Sequence, residues 1–336
     1  MKAGRATDAS PVAAVELTIA GRARTVYLKL EGRGPGGSVK ERTARGLVGD
    51  LEARGVLRPG SVLVESTSGN LGVALAGLAR TRGYDFLAVV DPKTTPENLA
   101  RMRALGAEVE LVDRPDAAGG YLLSRLARVR ELCAASDRYV WPDQYENPAN
   151  PLVHERETGP EIHRQLGGHV DAVVVAVSTG GTLAGIARFF RRSSPGTRLV
   201  AVDAVGSVAL GGSPGPRLLT GIGAGRPSRF LAPGFYDERE LVGDAEAFSA
   251  CHALLSATGL ELGGSSGAVL VAAARFLASD PGADRIVCLC ADGGERYRST
   301  VYSEEWLERN GVRLASAPVP IEAIAPVRSA HARAAA

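Results

Sequence analysis

A glycine-rich turn that ends in a lysine is the stretch of this chain best suited to chemistry. Residues 34–42 read GPGGSVKER, follow the apolar run 26–30 and precede a helical pattern. We expect Ser38 to cap that helix and Lys40 to lie in its first turn, where the helix dipole disfavours a cation. Lys40 would then be neutral or covalently bound, which makes it a candidate reactive lysine. An ordinary solvated lysine is the alternative on this stretch alone.

Two further turns each join a strand-like run to a helical run. The segment 65–72, ESTSGNLG, offers hydroxyls, an amide and backbone N–H groups at a helix N-terminus, which together can receive a carboxylate. The segment 178–182, STGGT, follows the apolar run 173–177, and its glycines let the backbone approach a phosphate. No lysine follows those glycines, so it is not a Walker loop.

A third turn, 263–267 or GGSSG, also precedes an apolar helical run, and one of its serine hydroxyls could face a ring nitrogen. The segment 292–297, DGGERY, adds a polar turn after the last strand-like run. A reactive lysine, a phosphate-binding turn, a carboxylate-binding turn and a hydroxyl for a ring nitrogen together describe a pyridoxal-phosphate site.

These turns must be positioned by the elements between them, which alternate short apolar runs with amphipathic helical runs. Such alternation predicts parallel α/β sheets covered on both faces, with clefts at the carboxyl ends of the strands. The amide- and proline-rich segment 143–151 breaks the rhythm and is expected to cross between two sheets. Residues 207–229 are rich in Gly, Pro and Ser and are predicted to form a surface loop that closes over a site.

The predicted domain organisation follows from that crossing. The predicted parts are a smaller substrate-loop domain at 43–147, a larger cofactor-binding domain at 14–42 plus 148–325, and flexible ends at 1–13 and 326–336.

Length and composition exclude several classes of protein. The 336 residues exceed one average domain, and the apolar share of 45% is enough for substantial cores. Basic residues are scattered and matched by acidic ones, and no apolar run approaches the ~20 residues that span a bilayer, so neither nucleic acid nor membrane is an expected partner. The cysteines and histidines lack metal-type spacing, so no metal is expected. Core packing is predicted for Cys288 and Cys290, and a reduced, cytoplasmic compartment follows.

Four motifs in order carry a resemblance to a known family: PGGSVK at 35–40, TSGN at 67–70, STGGT at 178–182 and GSSG at 264–267. From about Val26 to Tyr302 the chain resembles the cysteine synthase and cystathionine β-synthase family of pyridoxal-phosphate enzymes. The resemblance implies the type II fold, like that of the tryptophan synthase β-subunit: α/β, with two open, mainly parallel twisted sheets flanked by helices. It also implies a homodimer.

The same resemblance implies roles for individual residues. Lys40 would form the Schiff base with the cofactor, Asn70 would meet the ring 3′-oxygen, and Ser265 would meet the pyridine nitrogen. The cofactor phosphate would be held by Ser178, Thr179, Gly180, Gly181 and Thr182, and the substrate α-carboxylate by Thr67, Ser68, Asn70 and Gln144.

Three departures from the usual cysteine synthase pattern indicate the substrate. Leu71 stands where threonine is usual, Ser178 stands where the phosphate turn usually begins with glycine, and the segment from Gln144 reads QYENPAN. These changes resemble the branch that joins O-phospho-L-serine and L-glutamate into N-(2-amino-2-carboxyethyl)-L-glutamate. That branch supplies 2,3-diaminopropionate for the siderophore staphyloferrin B, and similar proteins serve viomycin- and capreomycin-type antibiotics.

The predicted reaction is a β-replacement in which phosphate leaves the β-carbon of phosphoserine and the amine of glutamate takes its place. Ser178 and Tyr145 would supply extra hydroxyls to the charged substrates. Arg125, on the helical run 121–135, is the candidate for binding the leaving phosphate or the glutamate carboxylates, because arginine suits bidentate recognition. A solvated arginine is the alternative reading of that position.

Other functions stay open at this point. Cysteine synthesis from O-phosphoserine or O-acetylserine with sulfide is barely excluded by the motifs. A serine or threonine dehydratase would use the same site and release a keto acid. A non-catalytic ligand-binding homologue is opposed by the intact Lys40.

Overall fold

The computed structural model describes residues 9–34, 36–116 and 120–327. Pro35 of the lysine motif, residues 117–119 and most of the two predicted flexible ends, 1–8 and 328–336, lie outside the described residues. The chain divides into two compact units. Lys40–Val153 forms the smaller unit, and the residues up to Val39 together with those from His154 onward form the larger one. The predicted domain 43–147 falls inside the smaller unit.

The strands of the described residues are β1 (Val12–Ile19), β2 (Arg22–Leu30), β3 (Val62–Ser66), β4 (Asp85–Val90), β5 (Glu108–Leu111), β6 (Tyr139–Val140), β7 (Ala172–Ala176), β8 (Arg198–Ala204), β9 (Glu238–Val242), β10 (Ile286–Cys290) and β11 (Ala323–Pro326). The helices are α1 (Lys40–Ala53), α2 (Asn70–Arg82), α3 (Pro96–Ala104), α4 (Leu122–Ala135), α5 (Ala149–Val153), α6 (Gly159–Gln165), α7 (Gly181–Ser193), α8 (Asp244–Thr258), α9 (Gly264–Ser279) and α10 (Glu304–Arg309).

The larger unit is built on a seven-stranded sheet in the order β11-β1-β2-β10-β7-β8-β9. β1 pairs antiparallel with β2 and β11, whereas β2, β10, β7, β8 and β9 run parallel. The parallel strands β7 and β10 are almost continuously apolar and buried, as expected when helices cover both faces of a sheet. Their carboxyl ends lead directly into the turns 178–182 and 292–297.

The smaller unit is built on a four-stranded parallel sheet in the order β5-β4-β3-β6. Successive side chains of β3 point to opposite faces: Val62 and Val64 lie in one apolar cluster, and Leu63 lies in another. Burying each of these side chains stabilises the unit by about 1.5–3 kcal/mol. The carboxyl end of β3 leads into the predicted carboxylate-binding turn, and α2 begins at Asn70. The predicted α/β fold with two mainly parallel sheets is confirmed.

The N-terminal arm is shorter than predicted. We expected flexible residues up to Ala13, but Val12 and Ala13 already belong to β1, which pairs with β2 and β11. The run 12–19 alternates half-buried and buried residues in its second half, which is the pattern of a strand covered on one face. At the other end, the predicted flexible tail began at residue 326, yet Pro326 is the last residue of β11.

The segment 154–166, whose pattern predicts a single helix, is interrupted in the structure. A π-helical turn spans His154–Thr158, and a regular helix resumes only as α6 at Gly159. Pro160 lies in the first turn of α6 and has no N–H to donate to the carbonyl four residues earlier, so a continuous α-helix is interrupted there. The segment 143–151, expected to be irregular, holds the short helix α5 from Ala149.

The glycine-rich segment 207–229 is not simply a surface loop. It forms no helix or strand, but its side chains at Ser207, Leu219, Ile222 and Ala224 are buried, and the three apolar ones belong to the cores of the larger unit. Backbone hydrogen bonds anchor it, including one from Gly223 N to the carbonyl of Val177 (2.7 Å).

Within residues 9–327, apart from the gaps given above, no helix combines the length and the apolar character needed to cross a membrane. The four cysteines carry free thiols, and Cys288 and Cys290 are buried in β10, in agreement with the predicted core packing.

Candidate active site

Lys40 is the first residue of α1, as the turn before it predicts. Burial lowers its pKa to about 8, so far more of its amine is neutral near pH 7 than in an exposed lysine. A neutral amine can attack a carbonyl or accept a proton, which a protonated one cannot.

The other lysines of the chain are less suited to this chemistry. Lys29 is fully buried, and its amine is engaged by an ion pair with Glu161 and by hydrogen bonds to Ser10 O and Gln165 Oε1. Lys93 is exposed, and Lys2 lies outside the described residues. Lys40 is therefore the best candidate nucleophile among the described lysines.

The segment before Lys40 is held by backbone pairing rather than by a cap. Ser38 forms a bridge with Asp292, and Val39 N donates to the carbonyl of Ala291 (2.8 Å). The predicted capping by Ser38 is wrong: its Oγ is buried and makes no hydrogen bond within the described part of the chain. Because residues 38 and 39 pair with the segment that follows β10, that segment fixes the backbone from which Lys40 emerges.

The predicted phosphate turn joins β7 to α7 in the larger unit. Gly180 adopts a left-handed backbone (φ 88°), and a Cβ there would lie 2.0 Å from Ser228 Oγ. Thr179 and Thr182 are buried, and Ser178 is half-buried. The first turn of α7 holds no acidic residue, so the positive end of the helix dipole favours an anion there, although Gly181 N already donates to Thr179 Oγ1 (3.4 Å).

Two residues of the segment 207–229 hold this turn in place, and sequence reasoning missed both. Gly223 N donates to the carbonyl of Val177, and Ser228 Oγ donates to the carbonyl of Thr179 (2.7 Å). The only signal was the Gly/Ser-rich composition of the segment, which does not identify a partner.

A buried histidine lies behind the same turn. His154 Nε2 is 3.3 Å from Thr182 Oγ1, and its Nδ1 is 2.9 Å from Thr158 Oγ1. Its sequence context predicts only a solvated or core position for His154. The structure makes it a core residue that fixes the hydroxyl of Thr182.

The predicted ring-nitrogen partner, Ser265, lies buried in the first turn of α9. A Cβ on Gly221 would lie 4.0 Å from Ser265 Oγ and 3.9 Å from Tyr297 Oη, so both hydroxyls border the space beside this glycine. Tyr297 Oη donates to Asp292 Oδ2 (2.5 Å), and burial, with Asp292 nearby, raises the pKa of Tyr297 well above its usual range. Asp292 thus holds the neutral Tyr297 as well as the segment before Lys40.

In the smaller unit, the structure brings together two predicted substrate-binding stretches. Thr67 and Ser68 follow β3, and Thr67 Oγ1 accepts from Gly72 N (2.9 Å), which closes the turn onto α2. The side chain of Gln144 donates from Nε2 to the carbonyl of Ser66 (3.1 Å), so this distant residue lies beside the turn. These groups provide amide and hydroxyl donors suited to a carboxylate.

Two other residues near this turn, Leu71 and Tyr145, were also predicted to affect substrate binding. Leu71, which stands where threonine is usual in cysteine synthases, is buried in the apolar core of the smaller unit. Its side chain packs in that core, which explains why an apolar residue is favoured at that position. Tyr145 is half-buried, and its backbone N–H donates to Asp143 Oδ1 (3.2 Å). Its substrate role stays a prediction.

Arg125 has a partner that the sequence did not indicate. Its Nε lies 3.2 Å from Asp91 Oδ2, and both side chains are buried. Replacing Arg125 by alanine would leave the buried Asp91 unpaired, so we expect a loss of about 3–5 kcal/mol in the free energy of unfolding. Chemical denaturation of the variant and the wild type measures this loss.

Arg128 on the same helix provides the matched control. Its ion pairs with Glu110 and Glu131 are partly exposed, so Arg128→Ala should change the free energy of unfolding by about 1 kcal/mol or less. Equal losses in the two variants would contradict the structural role of Arg125. Its predicted substrate role is tested separately, by kcat/KM of whatever folded Arg125→Ala enzyme is recovered.

Comparisons with known proteins agree with this site. The family model described as pyridoxal-phosphate dependent enzyme matches residues 10–292. Two proteins named N-(2-amino-2-carboxyethyl)-L-glutamate synthase are similar: one from Ralstonia nicotianae is 48% identical over 289 residues, and one from Cupriavidus metallidurans is 44% identical over 293, each match covering 86% of both chains. The solved structure of an O-acetylserine dependent cystathionine β-synthase from Helicobacter pylori has a TM-score of 0.78 at 33% identity, covering 89% of this chain and 96% of its own.

The chain therefore belongs to the family of pyridoxal-phosphate dependent enzymes, and its cofactor is pyridoxal 5′-phosphate. The resemblance to the cysteine synthase and cystathionine β-synthase family is confirmed. Leu71, Ser178 and the Gln144 segment predicted the branch that makes N-(2-amino-2-carboxyethyl)-L-glutamate. The two relatives are named as synthases of that same compound.

The described residues fit this cofactor. Its phosphate needs N–H donors without nearby acids, which the N-terminus of α7 supplies behind Gly180. Its aldehyde needs a neutral amine, and the pKa of Lys40 is lowered to about 8. The buried Ser38 Oγ, which has no hydrogen-bond partner within the described chain, is a further donor two positions before Lys40 in the sequence.

Proposed function

We propose that this protein is an N-(2-amino-2-carboxyethyl)-L-glutamate synthase, which joins O-phospho-L-serine and L-glutamate and releases phosphate. The observation that carries the proposal is the 48% identity to a relative of that name, across 86% of both chains. The intact Lys40 and the three other motif turns support a catalytic protein rather than a binding homologue.

In this proposal, Lys40 would hold the cofactor through its side-chain amine and would be free to move a proton once phosphoserine is bound. Its neutral amine removes the α-proton, and the C–O bond to phosphate breaks. The amine of glutamate then forms a C–N bond to the β-carbon, and Lys40 returns the proton to the α-carbon. Pyridoxal phosphate would supply the electron sink that lets the α-proton leave.

The remaining residues bind and orient. The turn 178–182 holds the cofactor phosphate, with Thr182 fixed by His154 and Thr179 by Ser228. Thr67, Ser68, Asn70 and Gln144 hold the substrate carboxylate, and Asn70 also meets the ring 3′-oxygen. Ser178, Tyr145 and Arg125 are the proposed additional contacts for the charged substrates.

The smaller unit is proposed as the substrate-loop domain and the larger unit as the cofactor-binding domain. A homodimer, and a product that supplies 2,3-diaminopropionate for a siderophore or a peptide antibiotic, belong to the same proposal.

Phosphate release tests the proposal. With O-phospho-L-serine alone, the holoenzyme should release little phosphate at steady state, and L-glutamate should accelerate release because it completes the cycle. Rapid release without any amine, accompanied by pyruvate, would indicate a dehydratase instead. Release that responds to sulfide but not to glutamate would indicate a cysteine synthase.

Replacing Ser265 by aspartate tests the ring-nitrogen contact. A carboxylate there would favour a protonated pyridine nitrogen and strengthen the electron sink, so carbanion chemistry would be redirected from β-replacement. We expect the variant to keep cofactor absorbance but to lose at least about tenfold in kcat, an order-of-magnitude estimate from one such electrostatic contact.

Ser265→Ala is the control for that experiment, because it removes the hydroxyl without adding charge. It should bind the cofactor and retain more activity than Ser265→Asp. Wild-type kcat in Ser265→Asp, with a normally bound cofactor, would show that Ser265 does not meet the ring nitrogen.

A further inference from the structure

A buried carboxyl lies behind the proposed substrate-binding residues of the smaller unit. Glu65, on β3, has no exposed surface. Its Oε1 accepts hydrogen bonds from Ser66 N (2.9 Å) and from Trp141 Nε1 (3.0 Å), and its Oε2 accepts one from Gln144 N (3.2 Å). One side chain therefore joins the start of the substrate turn to a segment almost eighty positions further along the chain.

The segment that carries Gln144 needs such an anchor. Asp143, directly before it, adopts a left-handed backbone (φ 52°), which costs free energy for a residue other than glycine. Asn150 Nδ2 donates to the carbonyl of Gln144 (2.7 Å), and the Gln144 side chain donates to Ser66 O. The backbone N–H of Gln144 donates to Glu65 Oε2, so Glu65 completes the attachment of this residue.

Resting on the function proposed above, we propose that Glu65 is a positioning residue of the amino-acid site. Its carboxyl fixes Gln144 at the distance from the turn 66–70 at which both can hold one α-carboxylate. Glu65 itself acts through its hydrogen bonds to these segments rather than by touching substrate.

The electrostatics of Glu65 give this role a measurable signature. Burial raises its pKa to about 8, against the lowering effect of the hydrogen bonds from Trp141, Gln144 and Ser66. The other ionisable groups that face it are Asp143, which raises its pKa further, and the thiol of Cys133, whose own pKa is raised by burial and by Glu65. Its register partner on β4, Ala88, is apolar.

The sign of the resulting pH dependence follows from that raised pKa. Below about pH 8 Glu65 is protonated and places no charge behind residues that receive a carboxylate. Above that pH it becomes negative and opposes the substrate carboxylate. Substrate affinity of the wild type should therefore weaken as pH rises from 7 to 9.

Two substitutions test the role in the holoenzyme. Glu65→Ala removes all three hydrogen bonds and so releases Gln144 from its position. Because Gln144 would then lose its hydrogen bond to the charged α-carboxylate of the substrate, we expect KM for O-phospho-L-serine to rise at least about tenfold. Because the α-carboxylate contacts are the same before and during reaction, kcat should change far less than KM. Glu65→Gln keeps a neutral side chain of the same size, and its one oxygen can still accept from Ser66 N and Trp141 Nε1. Its amide nitrogen cannot accept from Gln144 N, so we expect a rise in KM between those of the wild type and Glu65→Ala.

The pH profile separates positioning from a merely structural role. Because the titrations of the substrate are common to all variants, the ratio of wild-type KM to Glu65→Gln KM isolates this carboxyl, and it should rise between pH 7 and pH 9. Glu108→Gln, an exposed carboxylate on β5 of the same sheet, should follow the wild type throughout. Parallel profiles for Glu65→Gln and wild type, or an unchanged KM in Glu65→Ala, would overturn the proposal.

A direct binding measurement keeps this test separate from the proposed function. The absorbance change of the holoenzyme on adding O-phospho-L-serine, or O-acetyl-L-serine as a second probe, gives the Kd without turnover. If the wild type binds only O-acetylserine, the proposed function fails, and the Glu65 variants are compared with that probe. If the wild type binds a probe and Glu65→Ala binds it equally well, the Glu65 proposal fails.

Discussion

Replacing Lys40 by alanine is expected to abolish turnover, with a loss in kcat of roughly 10⁴-fold or more. In the proposed reaction one amine binds the cofactor, removes the α-proton and returns it, so a single substitution removes all three functions. The neutral amine that these steps need is the form favoured by burial, which lowers the pKa of Lys40 to about 8. Steady-state phosphate release by the reconstituted variant measures the loss.

The control is Lys93→Ala, which removes an exposed lysine from the same unit. It should keep the visible absorbance of the bound cofactor and the wild-type kcat, whereas Lys40→Ala should lose the absorbance of the lysine-bound form. Borohydride reduction of the wild-type holoenzyme, followed by peptide mapping, should place the cofactor on Lys40. A label on Lys2, Lys29 or Lys93 would contradict the assignment of the site.

The second large effect is selectivity for charged substrates. O-phospho-L-serine should exceed O-acetyl-L-serine in kcat/KM by as much as ~10⁴, because a site built to hydrogen-bond a substrate group strongly rejects an analogue that lacks it. Ser178, half-buried at the start of the phosphate turn, is the residue we propose for this discrimination. Competition assays with both donors, at a fixed concentration of glutamate, measure the ratio.

The enzyme should be equally selective for the amino acid that attacks the β-carbon. Aspartate should therefore be a much weaker nucleophile than glutamate. The attacking amine must be unprotonated, so kcat at saturating substrate should rise from neutral towards alkaline pH. Comparable kcat/KM values for O-acetylserine and O-phosphoserine would remove the basis for assigning a phosphate leaving group.

Much of the fold follows from local sequence patterns. The alternation of apolar runs and helical runs predicts the parallel strands β3, β4, β7, β8 and β10 and the turns at their carboxyl ends, because period and turn chemistry are local properties. The terminal strand β11 was missed, since its pairing with β1 joins segments distant in the chain. β1 was also missed, although its other partner, β2, follows it directly.

In the candidate site too, residues within contiguous motifs could be predicted from the sequence, whereas contacts between distant residues could not. Lys40 and the turns 67–70 and 178–182 are contiguous motifs, so residue types and spacing identify them. The groups that hold them are not contiguous: Ser228 binds the carbonyl of Thr179, and Glu65 binds Gln144. Arg125 illustrates the limit, because its sequence context cannot distinguish a substrate-binding arginine from one paired with Asp91.

The most direct test of the proposed function is the identity of the product. The holoenzyme is incubated with O-phospho-L-serine, ¹⁵N-labelled L-glutamate and an equal concentration of sulfide, and the products are identified by mass spectrometry. We expect N-(2-amino-2-carboxyethyl)-L-glutamate that retains the labelled nitrogen, formed in step with phosphate. Accumulation of cysteine with no labelled glutamate adduct would contradict it and make the protein a cysteine synthase.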